Sequence, residues 1–178
     1  IAPDEPTRLS ELIREGFRAD LLLLAGGVSM GKYDLVEEVL AELKAELFFT
    51  GAQIQPGRPI VFGRVREKYF FGLPGNPVST MVTFELFVRP MVDALSGRTS
   101  QKLTFLRARL KTEIKTRTGL KRFLPGILSG EFEHAEVELC RWRGSGDIAS
   151  TARANCYVVI PPDRERIPAG EWVPIMLR

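Results

Sequence analysis

Leu21-Leu22-Leu23-Leu24-Ala25 is apolar at every position and runs straight into a glycine-rich turn, Gly26-Gly27-Val28-Ser29-Met30-Gly31. A strand with no polar alternation has two faces to hide, and a parallel strand covered by helices on both sides hides both. The flanking segments supply the helices. Residues 4–18 carry Leu9, Leu12, Ile13 and Phe17 on one helical stripe, with Asp4 as a candidate cap and Pro6 tolerable in the first turn. After the turn, residues 34–45 carry Leu35, Val36, Val39, Leu40 and Leu43 on one face. Shorter strands are expected at 47–50, 59–65 and 69–72, the last two as a hairpin. A second turn, Leu73-Pro74-Gly75-Asn76-Pro77, then opens a helix running to about Leu95. Met81, Phe84, Leu86 and Val88 are expected to form its core stripe, and Pro90 to kink it or mark a weak spot in it. Strand, turn and helix, repeated, predict a doubly wound three-layer α/β/α domain over residues 1–97.

Ser96-Gly97-Arg98-Thr99-Ser100 reads as a linker, and the pattern changes beyond it. Segments 103–113, 122–128, 136–142, 157–160 and 172–177 read as strands, with one helical turn at 148–154. Residues 101–178 are therefore expected to form a small, mostly β domain. The first helix has an apolar stripe but no strand before it to lie on, and the chain opens on Ile1 rather than Met. At least one further strand is expected ahead of Ile1, in a longer protein.

Composition narrows the function classes. With 25 Lys+Arg against 22 Asp+Glu in 178 residues, the net charge of +3 is dilute. No basic run with interleaved aromatics suggests a nucleic-acid partner. No apolar run approaches the length needed to cross a bilayer, and no signal-peptide layout opens the chain, so a cytoplasmic location is expected. Cys140 and Cys156 read as small buried hydrophobes in a reducing compartment. His134, the sole histidine, reads as structural or solvated.

Both glycine turns leave a strand and enter a helix, so amides and helix dipole point at whatever anion arrives. In the first, glycines permit positive φ, Ser29 adds a hydroxyl, and Asp34 a carboxylate able to hold a divalent cation. An ordinary turn with a capping Asp fits the same spacing, because neither the dinucleotide fingerprint nor a P-loop is present. In the second, two prolines bracket Gly75 and stiffen the loop, which lowers the entropy lost on binding. Gln55-Pro56-Gly57-Arg58-Pro59 is a third rigid turn, with one cation aimed outward. Open α/β sheets bind ligands at the carboxyl ends of their strands.

The strings GGVSMGKYD, QPGRPIVFG and FGLPGNPVSTMVTFELFVRPM, in this order, resemble the molybdopterin molybdenumtransferase family, which includes the C-terminal part of gephyrin. GSGDIASTARANCYVVIP resembles that family's last domain. The resemblance implies insertion of molybdate into adenylylated molybdopterin, release of AMP, a Mg²⁺ requirement and a homodimer, with molybdopterin adenylyltransferase as a possible partner. It also implies that a piece of this length is inactive alone. Carried over residue by residue, the pterin- and phosphate-binding loop falls on Gly26, Gly27, Ser29 and Gly31, and the functional, metal-positioning aspartate on Asp34. The rigid turn falls on Pro56, Gly57, Arg58 and Pro59, where Arg58 replaces a commoner lysine. The proline-glycine loop falls on Pro74, Gly75, Asn76 and Pro77, with Ser79 opening its helix. Ser145 and Ser150 match the last domain's contribution to the cleft. Lys32 stands where many relatives carry an acid. Two other readings share the fold: a molybdopterin adenylyltransferase, and a non-catalytic scaffold or ligand-binding module.

Overall fold

The structure is a computed structural model that describes residues 5–27, 35–99, 102–141 and 147–178. In chain order the elements are α1 (Pro6–Gly16), β1 (Leu21–Ala25), α2 (Leu35–Glu42), β2 (Glu46–Phe49), β3 (Ile54–Gln55), β4 (Val61–Val65), β5 (Lys68–Leu73), α3 (Pro77–Thr83) and α4 (Arg89–Leu95). They continue as β6 (Phe105–Leu110), β7 (Ile114–Lys115), β8 (Lys121–Ser129), β9 (Glu136–Leu139), α5 (Ile148–Arg153), β10 (Cys156–Ile160), β11 (Arg166–Ile167) and β12 (Trp172–Leu177). The chain divides into two compact units, residues 1–52 with 57–99, and residues 53–56 with 100–178. The sequence pattern put residues 53–56 in the first domain, but β3 runs parallel to β8 in the second unit.

In the first unit a four-stranded sheet has the order β1-β5-β4-β2. β1 and β5 are parallel, Leu21 opposite Tyr69 through to Ala25 opposite Leu73, while β4 is antiparallel to both β5 and β2. One face is covered by α1 and α2: Leu9, Ile13, Val36, Val39 and Leu40 pack on Val61, Val65 and Phe70. The other holds Ile60, Phe71, Leu73 and Val88, with Phe49, Phe62, Phe87 and Met91 against them. The three layers α/β/α are thus present. Burial of β1 is uneven, however, with Leu23 40% exposed on an edge strand.

Two local expectations need correction. The first helix starts at Pro6 with Glu5 at the cap position and no side-chain cap; Asp4 lies outside the described residues. The helix after the second turn is not continuous α. Residues Phe84–Val88 form a π-helical turn, closed by Arg89 N–H donating to the Phe84 carbonyl. Pro90 has no N–H to offer the Leu86 carbonyl, and a wider turn upstream absorbs that lost bond. The extra residue per turn also rotates the expected stripe: Val88 is buried, whereas Phe84 is 37% exposed.

The second unit closes on itself. Its strands run β10-β12-β6-β9-β8, and β8 pairs back to β10, completing a five-stranded barrel to which β3 adds. Strand β8 makes this possible by changing partner in mid-course. Arg122–Gly126 pair with β10, and Gly126–Ser129 with β9. Pro125 cannot donate to a ladder, and a Cβ on Gly126 would crowd Val158 and Val137 at 3.1 and 3.2 Å. Ala108, Leu110, Val137, Cys156, Val158, Val173 and Ile175 fill the interior. Closure leaves these strands few free edges.

Candidate functional site: one edge of the first sheet

The parallel pairing of β1 with β5 decides where the two glycine turns lie. Both leave the carboxyl ends of neighbouring strands, and the Gly26 amide donates to the Leu73 carbonyl at 3.1 Å. The turns touch: a Cβ built on Gly75 would sit 3.4 Å from the Gly26 Cα, and one built on Gly26 would sit 3.9 Å from the Gly75 Cα. Gly26 and Gly27 have φ of 82° and 66°, in the left-handed region. A Cβ added at either glycine would fill the space between the turns, so the bare backbones leave that space open. Gly26 has its own amide committed to Leu73, so it ties the two turns together.

The third turn shares this edge. β4 is antiparallel to β5, and Val61 stands opposite Gly72, itself opposite Leu24. The residues just before Val61 therefore emerge beside the carboxyl ends of β1 and β5. Arg58 is exposed there while its carbonyl is held by the amides of Ala52 and Ile60, both at 3.0 Å. The backbone is fixed and the guanidinium reaches solvent, as an anion contact needs. Gly57 is buried with φ 104°, Pro59 is half-buried, and the buried Pro56 follows a cis peptide bond that the sequence pattern did not anticipate.

Around Gly75 the loop is braced from its own helix. Pro74 is buried, Gly75 and Pro77 are exposed and Asn76 is half-buried. The Thr80 hydroxyl bonds the Pro74 carbonyl and lies 3.0 Å from that of Asn76. Ser79 is buried and its carbonyl accepts from the Thr83 hydroxyl at 2.9 Å. Thr80 and Thr83 were not singled out from the sequence; hydroxyls four and seven residues past a Pro-Gly-Asn turn are the signal for such bracing.

Ser29, Gly31 and Asp34 lie outside the described residues, as does Ser145, while Ser150 lies within α5. His134 closes a single 3₁₀ turn, Phe132–His134, and is exposed. Among the described residues no three His, Cys, Asp or Glu side chains come together to hold a metal. Mg²⁺ needs no such set, since one carboxylate plus substrate phosphates and waters suffices.

Comparison with known proteins agrees with this geometry. Residues 1–94 match the family described as a probable molybdopterin binding domain, and residues 107–177 the MoeA C-terminal region, domain IV. The molybdopterin molybdenumtransferase of Haemophilus influenzae is 34% identical over 160 residues, covering 89% of this chain and 39% of that protein. That of Staphylococcus aureus strain COL is 30% identical over 168 residues, covering 94% and 40%. The structure of the molybdopterin biosynthesis MoeA protein from Pyrococcus horikoshii superposes with a TM-score of 0.79 at 33% identity, over 99% of this chain and 42% of that one. A molybdenum cofactor biosynthesis protein from Pyrococcus furiosus gives 0.74 at 28% identity, over 100% and 56%. The chain spans about two fifths of the length of the curated relatives it matches. With both of its regions matched in order, the chain belongs to the molybdopterin molybdenumtransferase family.

Proposed function

We propose that this chain carries the molybdopterin-binding edge of a molybdenumtransferase, an enzyme that inserts molybdate into adenylylated molybdopterin and releases AMP. The observation that carries the reading is the contact between Gly26 and Gly75 at the carboxyl ends of paired parallel strands. The reactants are anions. Two unit charges ~4 Å apart at an effective dielectric of ~20 repel by about 4 kcal/mol. Amides of the first glycine turn and the guanidinium of Arg58 offset that repulsion and hold the orientation. Ser29, Gly31, Asn76 and Ser79 are assigned to the same ligand, and Ser145 to the part of the cleft drawn from the last domain. Mg²⁺, where it binds, supplies positive charge at Asp34. The active assembly is a homodimer in the cytoplasm that receives its substrate from a molybdopterin adenylyltransferase. The match of residues 107–177 to the MoeA C-terminal region favours this reading over the adenylyltransferase itself.

The test is titration of the chain with adenylylated molybdopterin, followed by AMP measurement after addition of Mg²⁺ and molybdate. AMP formation is measured on this chain and on one extended to its relatives' length. Arg58→Ala is expected to weaken binding about tenfold, the loss of one charge-assisted contact. Asp34→Ala is expected to abolish AMP release at an unchanged thermal midpoint. Binding indifferent to Arg58→Ala removes the sheet edge from the site, and AMP release at the parent rate from Asp34→Ala removes that carboxylate. A non-catalytic scaffold would release no AMP from the parent chain either.

A further inference from the structure

At the opposite end of the first sheet lies a cavity of about 780 Å³, lined by residues from three segments. The end of α1 contributes Arg14, Phe17 and Arg18, the end of α2 Glu42, Leu43 and Lys44, and the β4–β5 turn Val65, Arg66, Glu67 and Lys68. β5 starts here at Lys68 and ends at Leu73 beside the glycine turns. At about 3.3 Å per residue the cavity and the turns are roughly 17 Å apart along that strand.

Five cations and two carboxylates face this one space. Lys68 is paired with Asp20 at 3.2 Å, and Arg14 bonds Ser10 at 3.3 Å. Among the described residues, Arg18, Lys44 and Arg66 take part in no ion pair. Two of these three stand where backbone geometry argues against any side chain. Lys44 has φ 55° and Arg66 φ 53°. Lys44 closes α2 in a Schellman arrangement, its own amide on the Ala41 carbonyl and the Ala45 amide on that of Leu40. Glycine is the usual residue at that position. Arg66 stands in a two-residue hairpin turn, where Asn, Asp or Gly is usual. A cation near a helix C-terminus offsets the helix dipole. That accounts for Arg14 and Lys44 but not for a left-handed arginine in a hairpin.

The floor is apolar. Phe17, Leu43 and Val65 line it, and the Phe17 ring is set edge-on to Phe70, with centroids 6.1 Å apart. Volume, apolar floor and convergent charge match a small-molecule pocket. An exposed helix groove or a free strand edge, the usual seats of a peptide, contributes nothing to its lining.

From these features we infer that the cavity bounded by Phe17, Lys44 and Arg66 binds a phosphorylated small molecule of nucleotide size. Its phosphates lie on Arg18, Lys44 and Arg66, and its flat body on Phe17. This site is separate from the molybdopterin edge and does not depend on it.

The experiment titrates the chain, without divalent metal and at low salt, with ATP, inorganic pyrophosphate, adenosine and a hexaglutamate peptide. One ATP is expected per chain, bound more tightly than pyrophosphate or adenosine. Lys44→Gly and Arg66→Gly are each expected to weaken ATP about tenfold. Because glycine suits both backbone positions, neither variant should lower the thermal midpoint of the free chain. Arg58→Ala, at the other end of the sheet, should bind ATP as the parent does. The inference is overturned by an absence of saturable ATP binding, or by parent-like binding in the Lys44→Gly/Arg66→Gly double variant. Loss of ATP in Arg58→Ala would relocate the ligand to the molybdopterin edge. Pyrophosphate matching ATP would remove the role of Phe17, and hexaglutamate outbinding ATP would make the cavity a seat for an acidic protein segment.

Discussion

Replacing Gly63 with alanine tests whether the sheet that sets the glycine turns side by side is as tightly built as its geometry indicates. Gly63 lies in β4 between Leu47 of β2 and Phe70 of β5. An added Cβ would fall 2.6 Å from the Glu46 carbonyl oxygen and 2.7 Å from the Cζ of Phe70, a ring with no exposed surface. The carbonyl is backbone, so β2 must shift, and the neighbouring pairing of Glu46 with Arg64 would be disturbed too. Overpacking a core costs about 1–3 kcal/mol; with three contacts below 3.0 Å and one of them backbone, about 3 kcal/mol is expected. For a chain of this size that lowers the thermal midpoint by roughly 6–12 °C. Gly97→Ala is the matched control: it has φ 74° but nothing within 4 Å of an added Cβ. Its cost should be the left-handed strain alone, about 1 kcal/mol. Adding Phe70→Leu to Gly63→Ala relieves the ring contact but not the carbonyl contact. The double variant should therefore lose less than the two single costs together, by about 1 kcal/mol. Urea unfolding followed by circular dichroism measures all four. A Gly63→Ala cost no larger than that of Gly97→Ala, or strictly additive costs in the cycle, would refute the crowding argument.

Two further outcomes are expected in the second unit. Asn155 mimics a strand partner, its side chain donating to the Leu128 carbonyl at 3.0 Å and accepting from the Leu128 amide at 2.8 Å. Asn155→Ala should cost about 1–2 kcal/mol in urea unfolding, with faster amide exchange at Leu128. Burial pushes the Cys156 thiol up to about 11. The folded state thus holds this proton where the unfolded chain has released it, and stability should fall between pH 9 and 11 by about 2–3 kcal/mol. Cys156→Ala should flatten that decline, and an equal slope in the variant would assign it to another group.

What could be read from the amino acids follows the length over which a pattern repeats. The strand Leu21–Ala25, the stripes of α1 and α2 and the Val61–Leu73 hairpin each extend over enough residues for a period to show, and each is present. β3, β7 and β11 are two residues long and have no period to read. The barrel closure of the second unit was hidden for another reason. Alternation in β8 and β9 tells which side chains face inward, but not that Pro125-Gly126 lets one strand serve two neighbours. In the candidate site, order along the chain was enough to place both glycine turns at carboxyl ends, since each runs from a strand towards a helix. Their contact depends on β1 pairing with β5 across three intervening strands, a non-local choice. The pairing has a local cause all the same. β4 returns antiparallel to β5 through the tight Arg66-Glu67 turn, and the exposed edge of β4 is then taken by β2. Of the two edges then open, that of β2 and that of β5, the all-apolar β1 takes β5, and the helical layers flank its two faces. The same hairpin that leaves β5 free to carry Gly75 against Gly26 places Arg66 at the far end of the sheet, so one turn serves both proposed sites.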